Sequence, residues 1–287
     1  MQRWAMAVLR SMIPVCLVSV LCWPAAPAAG DTGTGSAPAP SEPSHARALP
    51  VPFGPGEVLT YKVMLGVFTV GESSMQVGAI EPTRGVDTYR LEWRIKGGIP
   101  FYKVDTHFTS WVDIERLVSM RFLQDQQEGR HTRYRDYHFF PKKGMWKRTD
   151  NGEEGSLATP LPLDDLSFVY FARSLELDVG KEYRFNRYFK DSGNPVILRV
   201  LRRGERTVPA GTFKTLVLQP IIRTKGLFGE GGKAEIHLTD DPRRLLVYLK
   251  TEVPGISMTM HLTSIRQGAP IHGDPMARPE VRSGPHF

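Results

Sequence analysis

His107, His131, His138, His237 and His261 are the imidazoles of the central sequence, and a metal centre would need several of them to converge. None forms His-Glu-x-x-His, and no two are spaced for one helical face. His131 and His138 are an odd number of positions apart, so a regular strand turns them to opposite sides. The carboxylate pairs Asp164-Asp165 and Asp240-Asp241 would do general acid–base work only by meeting in one pocket with separated pKa values. Read locally, the first pair caps a helix, and the second, with Pro242 and Arg243, makes a turn between strands. No Gly-x-Ser-x-Gly elbow occurs, and Ser167 falls inside the predicted helix. The Gly226–Lys233 piece lacks the spacing and ending of a phosphate loop and predicts a hairpin loop instead. No metal, no cofactor and no catalytic residue are expected, and hydrolysis ranks last among the functional readings.

Binding chemistry has more behind it. Arg130-His131-Thr132-Arg133-Tyr134-Arg135-Asp136-Tyr137-His138-Phe139-Phe140 leads into Lys142, Lys143, Lys147 and Arg148. In a strand, Arg133, Arg135 and Tyr137 share one face, with Tyr134, His138 and Phe140 on the other. Such a run is either a solvated outer face that discourages edge pairing, or a patch for phosphate-bearing headgroups. Three loops set bulky apolar residues beside glycine: Gly97–Tyr102, Gly226–Gly229 and Val253–Ile256. At the mouth of a curved sheet they would gate a lipid pocket or touch a membrane, or else fold inward as core. The predicted ligand-binding residues are Arg130, Arg133, Arg135, Tyr137 and Lys147 in the basic run, with Phe101, Tyr102 and Phe228 in the loops.

The elements that must position these residues are mostly strands. Alternating or β-branched segments occupy Leu59–Leu65, Gly66–Val77, Asp87–Ile95, Val104–Val112, Tyr134–Phe140 and Gly144–Arg148. Others occupy Glu182–Phe189, Val196–Leu201, Phe213–Ile222, Lys233–Leu238, Leu245–Leu249 and Ser257–Ile265. Turn residues punctuate them as in an antiparallel meander. One segment differs: 164–175 follows Pro162, opens on two N-cap residues and carries Leu166, Val169, Tyr170 and Arg173 at helical spacing. Phe168, Phe171 and Leu175 widen its apolar face, so this helix should be buried. The fold class expected is mainly β: a strongly curved antiparallel sheet or half-open β-barrel with one buried helix at about 164–175.

Of the 287 residues, 41% are hydrophobic and 23% charged, a globular composition. Residues 1–29 read as a signal peptide, with Arg3 and Arg10 ahead of the apolar stretch Met12–Trp23 and an Ala-x-Ala site at 26–28. Both cysteines, Cys16 and Cys22, lie in that leader, which excludes a disulfide scaffold or a thiolate metal centre elsewhere. Neither follows a small residue, so the lipobox of a lipoprotein is missing. Residues 30–52 are a Pro/Ala/Gly-rich linker, 53–266 one β-rich domain, and 267–287 a Pro-rich tail. The net charge of +7 is modest, and with export no nucleic-acid partner is expected.

The order of several short pieces resembles the bacterial domain of unknown function 3108. They are Gly56-Glu57-Val58-Leu59-Thr60-Tyr61 with Val70-Gly71-Glu72, then Leu163–Arg173 and Val179-Gly180-Lys181. Val208-Pro209-Ala210-Gly211-Thr212-Phe213-Lys214-Thr215, Thr239–Leu245, Gly255-Ile256 and Leu262–Ile265 complete the series. The resemblance implies an exported β-rich protein of the Gram-negative envelope, and it supplies no activity. The expected function is non-enzymatic binding of a lipid, lipopolysaccharide, glycan-linked or other amphipathic ligand in a β cup, in the periplasm or outside the cell. Peripheral membrane contact belongs to that reading. The alternative is a structural module holding a protein partner in an envelope complex.

Overall fold

The computed structural model describes residues 51–223, 234–253 and 256–269. The leader, nearly all of the linker, Phe228 with its glycine loop, and most of the tail lie outside the described residues. Fourteen strands form one antiparallel sheet. The first eight are β1 (Val58–Leu65), β2 (Phe68–Thr83), β3 (Val86–Ile99), β4 (Tyr102–Asp113), β5 (Ser119–Glu128), β6 (His131–Phe140), β7 (Met145–Arg148) and β8 (Glu154–Ser156). After the helix α1 (Asp165–Arg173) come β9 (Glu182–Phe185), β10 (Val196–Val208), β11 (Gly211–Ile221), β12 (Glu235–Thr239), β13 (Leu246–Val253) and β14 (Ile256–Arg266). Within β1–β8 and within β9–β14 each strand pairs with its neighbours in sequence, and β1 pairs with β14, which joins the two halves.

An unbroken meander puts alternate turns at opposite ends of the sheet. One end carries the turns 66–67, 100–101 and 129–130; the other carries 84–85, 114–118, 141–144, 209–210 and 240–245. Side-chain alternation chooses the inner face. Leu59, Tyr61 and Val63 of β1 are buried, and in-register partners such as Met75 and Trp93 continue the same surface across β2 and β3.

The helix plugs the end with the 114–118 and 240–245 turns, and its sequence explains how. Asp164 caps it, accepting from the backbone N–H groups of Leu166 and Ser167 at 2.9 Å, while Ser167 Oγ accepts from Asp164 N at 2.8 Å. The same carboxylate accepts from the hydroxyls of Ser110 (2.6 Å) and Ser119 (2.7 Å), tying the helix start to β4 and β5. Leu166 to Arg173 are all buried. Arg173 fixes the other end: its guanidinium forks onto both oxygens of Glu57 at 2.7 and 2.8 Å and donates to Arg244 O at 3.0 Å. It also lies 5.2 Å from the Phe53 ring and 5.3 Å from the Tyr170 ring.

The sheet is not closed into a barrel: β8 and β9 are its two edges and do not pair with each other. The seam is crossed instead by irregular chain, where Ala158 N donates to Phe189 O (3.1 Å) and Phe189 N to Leu163 O (3.2 Å). Phe189 packs behind it against Tyr137, Phe139 and Trp146, with Lys190 Nζ 4.9 Å from the Trp146 ring. The half-open reading of the sequence and its single buried helix hold. Some bounds do not: β9 stops at Phe185 where a strand to Phe189 is predicted, because the chain there turns aside to bridge the seam.

Asp165, beside the cap, is only partly exposed. Burial and the Asp164 carboxylate push its pKa up to about 7, against a hydrogen bond from Tyr188 and the charge of Lys190. A carboxyl raised in the folded state loses nothing below its unfolded pKa and destabilises the fold as pH rises from about 4 to 7. The Asp165→Asn protein should therefore gain on the wild type as pH rises from 5 to 8, by at most about 3 kcal/mol, less what solvent screens at its open edge. Urea midpoints of both proteins at the two pH values measure this.

Candidate functional site

Two hollows stand out among the described residues, and they lie on opposite faces of the sheet. The outer one, about 370 Å³, is lined by Glu81, Pro82, Thr83, Arg84, Trp111, Arg121 and His138. Its polar groups are engaged with one another. Arg121 forks onto Asp136 at 2.8 and 2.9 Å with its guanidinium 4.5 Å from the Trp111 ring, and Trp111 Nε1 donates to Glu81 at 2.9 Å. Arg84 donates to the carbonyls of Met120 and Phe139, each at 2.7 Å. Burial opposes ionisation of Asp136, yet hydrogen bonds from His138, Arg121 and Thr149 hold its carboxyl far below the usual range. A network so satisfied stabilises the outer surface and leaves few groups for a ligand.

The inner hollow, about 110 Å³, opens at the end of the cup opposite the helix. Its walls are apolar: Val63 and Leu65 of β1, Val70 of β2, Ile95 and Ile99 of β3, Val104 of β4 and Met258 of β14, with Tyr102 at the rim. The floor is bare backbone. Gly71 and Gly97 face each other in register, and a Cβ on Gly97 would lie 2.6 Å from the Gly71 Cα and 2.2 Å from Val70 O. Gly98, at φ +137, would place a Cβ 2.2 Å from Tyr102 O. Glycine is the residue that fits these close approaches, and the strands pinch together where a side chain would otherwise fill the cup.

Beside the hollow on the same concave face the lining turns polar. Register carries Thr106 to Gln126 and then to Arg133, and Phe108 to Gln124 and then to Arg135. Arg133 is exposed and Arg135 half-buried. At about 4.8 Å per strand, Arg133 stands roughly 10 Å from Thr106. The Tyr102 ring lies against the 129–130 turn, since a Cβ on Gly129 would come within 2.8 Å of it. Arg130, exposed in that turn, therefore neighbours the rim of the hollow.

The residues singled out from sequence thus divide. Tyr102, Arg130, Arg133 and Arg135 gather around the open end of the cup, and Phe101 is fully exposed in the turn just outside it. Tyr137 shares their face, but it is 4% exposed and stacks in the aromatic core with the Arg148 guanidinium 5.6 Å from its ring. Lys147 pairs in register with His138, which puts it on the outer face, away from Arg133 and Arg135. Phe228 lies outside the described residues. Sequence reading missed the apolar wall of Val63, Leu65, Val70, Ile95 and Val104 as a site, because strand alternation marks them as core like any other inward residue. The pair Gly71 and Gly97 was the available signal: a glycine inside a strand marks a close approach.

The profile of a family described as a protein of unknown function (DUF3108) matches residues 60–263, which run from within β1 to within β14 and so span the cup. The chain belongs to the DUF3108 family. No curated protein matches this member of it. Among solved structures, it is similar to a β-barrel-like protein of the DUF1849 family from Brucella abortus, at 11% identity and a TM-score of 0.49 over 75% of this chain and 98% of that one. A protein described as a lipoprotein from Parabacteroides distasonis aligns at 11% identity and a TM-score of 0.33, over 76% and 99%. One described as exported, from Bacteroides fragilis, aligns at 10% identity and a TM-score of 0.27, over 77% and 100%.

Proposed function

We propose that this DUF3108 protein is an exported envelope protein that binds one apolar chain of an anionic amphiphile, without catalysis, at the open end of its half-barrel. The observation that carries the reading is the sharing of one concave face by a glycine-floored apolar hollow and a basic row. Val63, Leu65, Val70, Ile95, Val104 and Met258 offer hydrocarbon on the walls, and Arg133, Arg135 and Arg130 stand where a headgroup of opposite charge would lie. Burying apolar surface stabilises at about 25 cal/mol per Å², so the chain supplies affinity and the arginines supply orientation. The hollow has room for about three or four groups the size of water, at about 30 Å³ each, so it takes the end of a chain rather than a whole lipid. The leader at 1–29 agrees with a ligand drawn from the envelope.

Native mass spectrometry of the delipidated mature chain, mixed with an envelope lipid extract, tests this. Uptake of one acyl-bearing anionic lipid is the expected result. A chain that stays ligand-free across the extract would count against the reading.

A further inference from the structure

The end of the cup that opens into the hollow also exposes its most apolar side chains to water. Val67 is 79% exposed, Phe68 72% and Phe101 fully so, and all three sit on the adjacent tips of the β1–β2 and β3–β4 hairpins. Phe101 adopts φ +69, a left-handed conformation that a bulky residue seldom takes. Neither solvent nor backbone favours a phenylalanine there, and a residue held against both is a mark of function. Close to these tips, Lys103 and Arg130 are exposed and enter no ion pair among the described residues. Of the acidic groups nearby, Glu72 lies in register between Lys62 and Lys96 and Asp105 is bonded to Arg94, while Glu128, in register with Val104, accepts from Gln126 at 3.5 Å.

We infer that this end is a membrane-docking surface, in which Phe101, Phe68 and Val67 enter the interface of an anionic phospholipid bilayer while Lys103 and Arg130 meet its headgroups. Apolar tips ringed by cations match that surface: the rings gain burial, and the charges gain the negative surface potential. The inference deepens the proposed binding of an apolar chain, because docking by this end would place the mouth of the hollow against the lipids that supply the chain. It shares Arg130 with that reading, but its apolar tips, Val67, Phe68 and Phe101, lie outside the lining of the hollow, so the two can fail separately.

The test is cosedimentation of the mature chain with phosphatidylglycerol-containing vesicles and with pure phosphatidylcholine vesicles. Binding to the first is expected, weakened by added salt and much weaker on the second. Phe101→Gly should lower the vesicle affinity about tenfold or more, from the lost burial of one ring, and should also raise the urea midpoint by removing the left-handed strain. Phe68→Ser, at a position without that strain, should lower vesicle affinity with the midpoint unchanged. Both variants should still take up a monomeric fluorescent fatty acid in the absence of vesicles. Equal binding of the wild type to both vesicle types, or vesicle affinity that survives both substitutions, would overturn the docking surface. Loss of fatty-acid uptake with vesicle binding intact would leave docking standing and count against the hollow.

Discussion

Replacing Arg173 by alanine is expected to destabilise the fold by about 3–5 kcal/mol, the cost of stranding one member of a buried ion pair. The side chain of Arg173 is 0% exposed and that of Glu57 4%, so water cannot replace the lost partner. The Arg244 carbonyl loses its donor, and Phe53 and Tyr170 lose the cation beside their rings. Exchanging both charged groups at once, Glu57→Gln with Arg173→Met, should recover much of the loss, because the desolvation of two charges disappears together with their attraction. Urea denaturation of the three proteins gives the comparison. A single substitution costing under about 1 kcal/mol would place the pair at the surface and remove the anchor that holds the helix in the closed end.

The second large effect concerns the hollow. Val104 lines it and pairs in register with Gly97, whose bare backbone leaves open the space a larger ring would occupy. Val104→Trp should lay its indole over that glycine and fill the cavity. Cross-strand aromatics tend to stabilise strand glycines, so the fold should keep its urea midpoint. Displacing about three methylenes, each worth about 0.8 kcal/mol, should weaken binding of a fluorescent fatty acid about 50-fold. Titration by fluorescence reads this directly. Unchanged affinity in a folded Val104→Trp protein would move the ligand elsewhere.

What the sequence reveals follows from how local each signal is. The helix is legible because its cap, its capping box and its apolar spacing lie within a dozen residues around Asp164. The partners that seat it are not: Ser119 and Glu57 are remote in the chain, and nothing near Arg173 tells that its guanidinium is buried. β5 escapes a pattern search because its second half is Gln124-Asp125-Gln126-Gln127-Glu128, polar on both faces where the cup opens to water. The charged arm of β10, Arg202–Arg206, is missed for the same reason.

The hollow itself shows the limit most clearly. Alternation predicts a concave apolar surface, but only packing decides how much of it the helix covers. Phe168, Tyr170 and Phe122 fill the closed end, and free space remains where glycines replace side chains. Lys147 is a related case. Whether it joins the Arg133 face depends on the register across the β6–β7 turn, and pairing with His138 sends it outward.

The account stands most directly on where an apolar chain touches the protein. A photoactivatable fatty acid, crosslinked to the mature chain and mapped by peptide mass spectrometry, answers that. Adducts on Leu65, Ile95, Tyr102, Val104 or Met258 are predicted, with none in the Val104→Trp protein. Adducts confined to the outer groove of Arg84, Trp111 and Arg121, or spread over the surface without preference, would contradict it.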